Sequence, residues 1–569
     1  MNDLLDSIRL ITIEATKAWR ALVVFLLLAL AGYPAGALVQ HGLNIGLWPP
    51  EAETPAQFWT SSVNSFGVHI FRTYCAMAAG KSGAFIDGGQ LTASLTLIFA
   101  FAVAVAVTAT NRDGLRRDPS GRYGDARFAT KAERARMQAG LELGTDPVSG
   151  RPIQVAVKGN LLSIAPPRTG KTSGLLIPNL AKPERTGWSG PAVVIDPKGE
   201  AYRAVAERRA QFGRRVVCLD PYNLVGGGDC WNPLPTLDPD DITYLQRLAH
   251  ALLPESTGHQ DQYFQNRAAD TLVAGFLGAR AERNLTPLRV SQLLSDPDLF
   301  AGALRGIKAE PATKTLALLN ADPKTRDPVL STAMQAFQWC DDPRLQRLTA
   351  RSTFELTDVC NGEADLFVVI PTEAIRLNAS FLRWFLTDLF TACRRSKPLE
   401  RVVVFIDEAR ALGRFEEIVV AAGELPGYNV SLWTFWQDRS QLISLYGEAD
   451  AKTLLNTTEI VTVSDVPMID PQELEHWSKV IGTYTVLEEV TTTDGGSGTG
   501  QPRRTSTSLR PLAVPLVPPD ALLQMSTSDL LVFPNSRAYA KRPLKIRRVA
   551  HDDARLKGLV ADLGGTASA

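Results

Sequence analysis

At 569 residues the chain is longer than one hydrophobic core usually supports, so two or three folded units are expected. Lys plus Arg (60) balance Asp plus Glu (60), which excludes global charge as a reason for nucleic-acid contact and leaves only local patches. Six cysteines with no C-x-x-C pair and no partnered His suggest neither a disulfide framework nor a zinc site.

In chain order, the first features are two uncharged apolar runs, Ala21 to Val39 and Leu91 to Thr110. Each suffices to cross a bilayer, which takes about 20 residues of helix. The acidic start (Asp3, Asp6) and the second run argue against a removable signal peptide. Arg9, Lys17 and Arg20 precede the first run, Arg112, Arg116, Arg117, Arg122 and Arg127 follow the second, and only Arg72 and Lys81 lie between. The positive-inside rule then places both termini in the cytoplasm. Between the runs, Trp59, Val63, Phe66, Ile70 and Tyr74 recur at helical spacing, as either an amphipathic helix that meets the membrane or a partner, or a small self-packed loop.

From about Tyr123 short β-branched runs alternate with amphipathic stretches, the pattern of a mainly parallel, doubly wound α/β sheet. The runs are Leu161 to Ile164, Ala192 to Ile195, Arg215 to Leu219, Leu366 to Ile370, Val402 to Ile406, Val430 to Phe435 and Ile460 to Val463. Asp241 to Thr349 interrupts them with apolar residues three and four apart, such as Tyr263, Ala268, Leu272, Phe276 and Leu277, and predicts an inserted all-α domain. Thr491 to Ser508 is Gly-, Ser- and Thr-rich and reads as a disordered loop. The expected organisation is therefore a membrane anchor over 1–115, an α/β domain in two parts over 116–240 and 350–550, the all-α insert over 241–349, and a tail over 551–569.

The chemistry concentrates in LLSI-APPRTGKT-SGLLIPNL, where a strand leads through a turn into a helix. This is the setting a P-loop requires, with Ala165, Pro166, Pro167, Arg168, Thr169, Gly170, Lys171, Thr172 and Ser173 as the nucleotide-binding stretch. Backbone N–H groups and the dipole of the following helix hold the β-phosphate of ATP, Lys171 reaches the β and γ oxygens, and the Thr172 hydroxyl takes a Mg²⁺ position. Ala165 stands where the usual motif has its first glycine.

RVVVFIDEARALG, Arg401 to Gly413, is a hydrophobic strand ending in adjacent carboxylates. Asp407 suits Mg²⁺ through water, and Glu408 suits polarisation of the attacking water. In LWTFWQDRSQL another strand ends at Gln437, a polar group placed to sense the γ-phosphate. VVIDPKGE, Val193 to Glu200, gives Asp196 and Lys198 either a site role or a place in a plain turn.

These elements in this order resemble the type IV coupling proteins, the inner-membrane ATPases of conjugation and type IV secretion. YGDARFAT (Tyr123 to Thr130), the P-loop, DPKGE with RRVVCLDPYN and WNPL, IDEARALGRF, ELPGYNVSLWTFWQDRSQL, EHWSKVIGTYTV and RPLAVPLVPPDALL carry the likeness across nearly the whole chain. The resemblance implies a RecA-like P-loop NTPase with two N-terminal transmembrane helices, and an all-α domain that engages substrates. It further implies a homo-oligomer, a hexameric ring with ATP between subunits, whose neighbour donates an arginine. The segment before GYN reads AAGELP and offers none, so Arg414 and Arg439 are the nearby candidates. The implied partners are inner-membrane components of a type IV secretion system and, as cargo, a relaxase–DNA complex, secreted effector proteins, or both. Basic clusters at Arg208, Arg209, Arg214 and Arg215, and at Lys541, Arg542, Lys545, Arg547 and Arg548, are either phosphate contacts or solvated surface. Two rival readings are a cargo receptor for which hydrolysis is dispensable and a DNA translocase of chromosome partition.

Overall fold

The structure is a computed structural model that describes residues 115–561, apart from 183–185, 254–258, 467–469, 494–504, 537 and 550–552, with a few isolated positions nearer the N-terminus. The two apolar runs, the segment between them and the end of the tail thus lie outside the described residues, save for those isolated positions. Among the described residues no helix is long and apolar enough to cross a membrane.

In chain order the strands are β1 (Leu115–Arg117), β2 (Leu141–Thr145), β3 (Pro152–Val155), β4 (Asn160–Ile164), β5 (Ala192–Ile195), β6 (Arg215–Leu219) and β7 (Ala364–Val368). They continue with β8 (Val402–Ile406), β9 (Val430–Trp436), β10 (Thr458–Val463), β11 (Thr483–Thr493), β12 (Thr505–Pro515), β13 (Asp529–Pro534) and β14 (Leu544–Arg547). Contacts divide the chain into two units, one of Met1–Asp125 with Thr483–Val514, the other of Ala126–Gly482 with Pro515–Ala569.

The first unit carries a three-stranded sheet in the order β1-β11-β12. The expected loop over 491–508 is corrected at its two ends, where Thr491 to Thr493 complete β11 and Thr505 to Ser508 begin β12, while 494–504 lie outside the described residues. Repeated β-branched threonines favour extended pairing despite the polar composition. Thr483–Val514 therefore groups with the start of the chain rather than with the 350–550 stretch.

The second unit is built on an eleven-stranded sheet in the order β3-β2-β14-β13-β10-β4-β9-β8-β5-β7-β6. From β10 to β6 every pairing is parallel. From β10 outward through β13, β14, β2 and β3 every pairing is antiparallel. The parallel strands β4, β5, β7, β8 and β10 are buried along their whole length, because helices cover both faces, and so they read as continuous apolar runs.

Between β6 and β7 the described residues form no strand, only helices joined by short turns, from Ile242–Leu252 to Leu356–Cys360. These helices surround His259–Ala281, whose Leu272, Val273 and Phe276 are buried. The segment does not close its own core. Phe276 lies 5.3 Å, ring to ring, from Trp384 on helix Ala379–Ser396, and Phe337 lies 5.7 Å from the same indole. Trp339 packs at 5.3 Å on Phe381 of that helix. The apolar core of the helical segment is continuous with that of the sheet.

Candidate nucleotide site

The motif strands stand side by side. β4 lies between β10 and β9, β9 between β4 and β8, and β8 between β9 and β5. Register brings their carboxyl ends together, with Ile164 opposite Trp436, Ile406 opposite Thr434 and Ile195 opposite Ile406. Polar side chains fix β4 in this place. Asn160 accepts from the Leu432 N–H at 3.0 Å and donates to the Ala422 carbonyl at 2.6 Å, while Ser163 accepts from the Trp433 indole N–H at 2.8 Å. A buried polar group that keeps such partners tolerates one register, which is why the Ser and Asn sit inside an apolar strand.

Ala165 leaves β4 buried, its N–H donating to the Trp436 carbonyl at 2.9 Å. The missing glycine thus falls where the backbone is still tied to β9. Left-handed backbone instead occurs at Arg168 (φ 65°) and Gly170 (φ 72°). The Thr169 hydroxyl donates to the Pro166 carbonyl at 2.7 Å and closes the turn.

The helix that follows begins as a π-helical turn over Thr172–Leu176 and becomes α-helical at Ile177–Ala181. Pro178 explains the shift. It has no N–H for the Gly174 carbonyl and its ring crowds that position, so the ladder slips and Ile177 donates to Thr172.

The Thr172 hydroxyl donates to Asp407 Oδ2 at 2.9 Å, joining the P-loop to the end of β8. Asp407 is pushed above the usual carboxylate range by burial, against the pull of Lys171 and the Thr172 hydrogen bond. Glu408 adopts left-handed backbone at φ 66°, an uncommon conformation for a side chain of this size. Its two carboxylate oxygens accept from Gln437 Nε2 at 3.0 and 3.1 Å, so the ends of β8 and β9 meet at this pair. Lys171, Thr172, Asp407, Glu408 and Gln437 thus share one edge of the sheet.

Asp196, at the end of β5, accepts from the Tyr202 N–H at 2.9 Å and leaves Oδ1 buried without a hydrogen-bond partner. Burial pushes its pKa to about 6, and the nearby Asp407 adds to the rise. Lys198 is exposed, 3.8 Å from Glu200, and its charge reaches Asp407.

Arg414 and Arg439 are held within their own chain. Arg414 donates to the Leu445 and Tyr446 carbonyls and pairs with Asp450 at 3.3 Å, and Arg439 pairs with Glu473 at 3.0 Å. In the basic clusters, Arg209 is buried against Asp365, Arg214 pairs with Glu400, Arg215 with Asp229 and Lys545 with Asp529. Charge runs in the sequence do not separate these internal pairs from solvated cations, because the partners of Arg209 and Arg214 lie far along the chain and those of Arg215 and Lys545 on other strands or loops.

A cavity of about 540 Å³ opens where the helical segment meets the loop after Glu408. Gln335 and Gln338 line it from one side, Arg410 and Gly413 from the other, and Arg376 and Arg383 from between.

The site fits a nucleotide and its Mg²⁺. Gly170 turns where a side chain would fill the loop, since a Cβ there would lie 2.7 Å from Arg548 Nη1. Thr172 and Asp407 supply the adjacent hydroxyl and carboxylate that Mg²⁺ takes in P-loop proteins.

Comparison with known proteins places this geometry. A family model described as Type IV secretory system Conjugative DNA transfer matches residues 155–553. The conjugal transfer protein TraG of Agrobacterium fabrum is 25% identical over 383 residues, 64% of this chain and 56% of that protein. Protein VirD4 of Rhizobium radiobacter is 25% identical over 339 residues, 57% of this chain and 48% of that protein. The chain therefore spans about half the length of these relatives. Among solved structures, the bacterial conjugative coupling protein TrwBdeltaN70 superposes with a TM-score of 0.56 at 18% identity, covering 76% of this chain and 96% of that one. TrwB in complex with ADP and Mg²⁺ gives 0.55 at 17%, over 76% and 95%. At these identities the likeness is one of fold.

Proposed function

Because the chain belongs to the Type IV secretory system Conjugative DNA transfer family, we propose that it is an inner-membrane coupling ATPase, which recruits DNA–protein or protein substrates and delivers them to a type IV secretion channel. The observation that carries this reading is the joining of the P-loop to the acidic strand end through Thr172 and Asp407, with Glu408 bound to Gln437 on the strand between. On this reading ATP binds at the edge of β4. The Lys171 ammonium neutralises the β- and γ-phosphates, and Glu408 orients the attacking water and takes its proton. Mg²⁺, held by Thr172 and through water by Asp407, would draw charge from the phosphate oxygens. Gln437 joins the Glu408 carboxylate to β9, so that the end of this strand registers which nucleotide is bound.

Family membership supports a hexameric ring, with a membrane anchor over 1–115 and residues 241–349 as the part that meets cargo. The guanidinium-lined cavity supports the last point, since it joins that segment to the loop after Glu408. The channel's inner-membrane components and a relaxase–DNA complex or effector proteins are the proposed partners.

Lys171→Ala is expected to abolish ATP turnover by the purified full-length protein and transfer in cells. Transfer at the wild-type rate would overturn the motor reading. Glu408→Gln separates motor from receptor, because a receptor for which hydrolysis is dispensable still exports its cargo.

A further inference from the structure

The P-loop has a neighbour that its motif does not contain. Arg548 follows β14 in the same unit as the P-loop, and its N–H donates to the Ser528 carbonyl at 2.8 Å, which fixes where its side chain begins. From there the side chain crosses the loop. A Cβ on Gly174 would lie 2.5 and 2.6 Å from Arg548 Cδ and Cγ, and one on Gly170 would lie 2.7 Å from Nη1 and 2.9 Å from Cζ. The stem therefore rests on Gly174, with the guanidinium over Gly170. The point that a Gly170 Cβ would occupy is also 3.0 Å from Ser173 Oγ, so the guanidinium and this hydroxyl flank the same part of the loop.

Nη1 is buried and has no hydrogen-bond partner among the described residues. Asp465 is the carboxylate whose charge reaches this guanidinium, but it does not satisfy Nη1, and a buried N–H without a hydrogen-bond partner is expected where a ligand completes it. The neighbouring sequence does not set Arg548 apart from Lys545 and Arg547. The structure does: Lys545 pairs with Asp529 and Arg547 is exposed, whereas Arg548 turns to the P-loop.

We infer that Arg548 is a phosphate ligand supplied by the same chain, whose guanidinium binds the α- and β-phosphate oxygens of the nucleotide beside Ser173. This rests on the reading of the P-loop as a nucleotide site and adds to it. Lys171 serves the β and γ oxygens, and Arg548 holds the end nearer the nucleoside, so ADP is held after hydrolysis by a group that does not depend on the γ-phosphate. A planar guanidinium suits two oxygens at once.

Binding of ADP without Mg²⁺ to the full-length protein tests this by calorimetry, with the wild type, Lys171→Ala, Arg548→Met and Arg548→Lys compared. Methionine keeps the stem on Gly174 and removes the charge. Arg548→Met is expected to weaken ADP binding roughly 10- to 100-fold with an unchanged or raised melting temperature of the nucleotide-free protein, and Arg548→Lys to lie between it and the wild type in affinity. If Lys171→Ala weakens binding while Arg548→Met binds as the wild type does, this inference alone falls. A wild type that binds no ADP overturns the nucleotide site and Arg548 with it. Should Arg548→Met lower the nucleotide-free melting temperature, Arg548→Lys carries the comparison, and wild-type ADP affinity in that variant overturns the role.

Discussion

Glu408 carries two demands that pull apart. In the proposed mechanism its carboxylate faces the attacking water, while its backbone is held in a left-handed conformation, which costs a residue of this kind about 1–2 kcal/mol. Asparagine visits this region more readily. Glu408→Asn is therefore expected to leave stability to urea unchanged or slightly raised, while turnover falls by roughly 10²- to 10⁴-fold, the usual worth of a general base. A loss of stability would mean that the Gln437 hydrogen bonds, and not the strain, dominate at this position. Both quantities come from one preparation, by urea titration and by phosphate release.

At the scale of elements, the buried pair of Arg209 and Asp365 ties helix Glu200–Ala210 to β7. The guanidinium also donates to the Trp188 and Gly190 carbonyls, and Asp365 accepts from the Ala192 N–H. Removing one partner strands a charge, so Asp365→Ala is expected to cost about 3–5 kcal/mol in urea unfolding. Helix Ala379–Ser396 is tied differently, through Asp388, which accepts a hydrogen bond from the Tyr244 hydroxyl. Burial pushes Asp388 from 3.8 to about 7. The folded chain then binds more protons than the unfolded one between those values, so this carboxyl makes stability fall as pH rises from about 4 to about 7, by up to about 1.4 kcal/mol per pH unit. Asp388→Asn is expected to flatten that slope in melts across the window. How far each element was legible follows from its surroundings. The parallel strands are covered on both faces and read as apolar runs, and the P-loop and acidic pair announce themselves because strand, turn and charged residue adjoin in sequence. β2, β3, β13 and β14 escaped notice as short strands of an antiparallel flank, and β14 alternates buried and exposed positions. Within the basic cluster at 541–548 the sequence does not single out Arg548, because it meets Gly170 only through pairings made far along the chain.

For the molecule as a whole, the shared core sets what counts as a part. Residues 241–349 bury Phe276, Phe337 and Trp339 against Trp384 and Phe381, which belong to a later helix. Excised, the segment is expected to lack a cooperative thermal transition by circular dichroism, whereas a fragment spanning 126–561 should retain one. A sharp transition in the isolated segment would show that its core closes without helix Ala379–Ser396.

The order of strands in the sheet also bears on how the chain is made. β4 is synthesised early, yet its two neighbours are β9 and β10, and β10 ends only at Val463. At about 5–20 residues per second, the ribosome takes roughly 15–60 s to supply them. Until Trp436 is made the strand leading into the P-loop has both edges open, and until Val463 is made one edge stays open. A cell that makes this protein must therefore shelter an apolar strand during synthesis, and that demand comes from the same interleaving that brings Thr172 to Asp407.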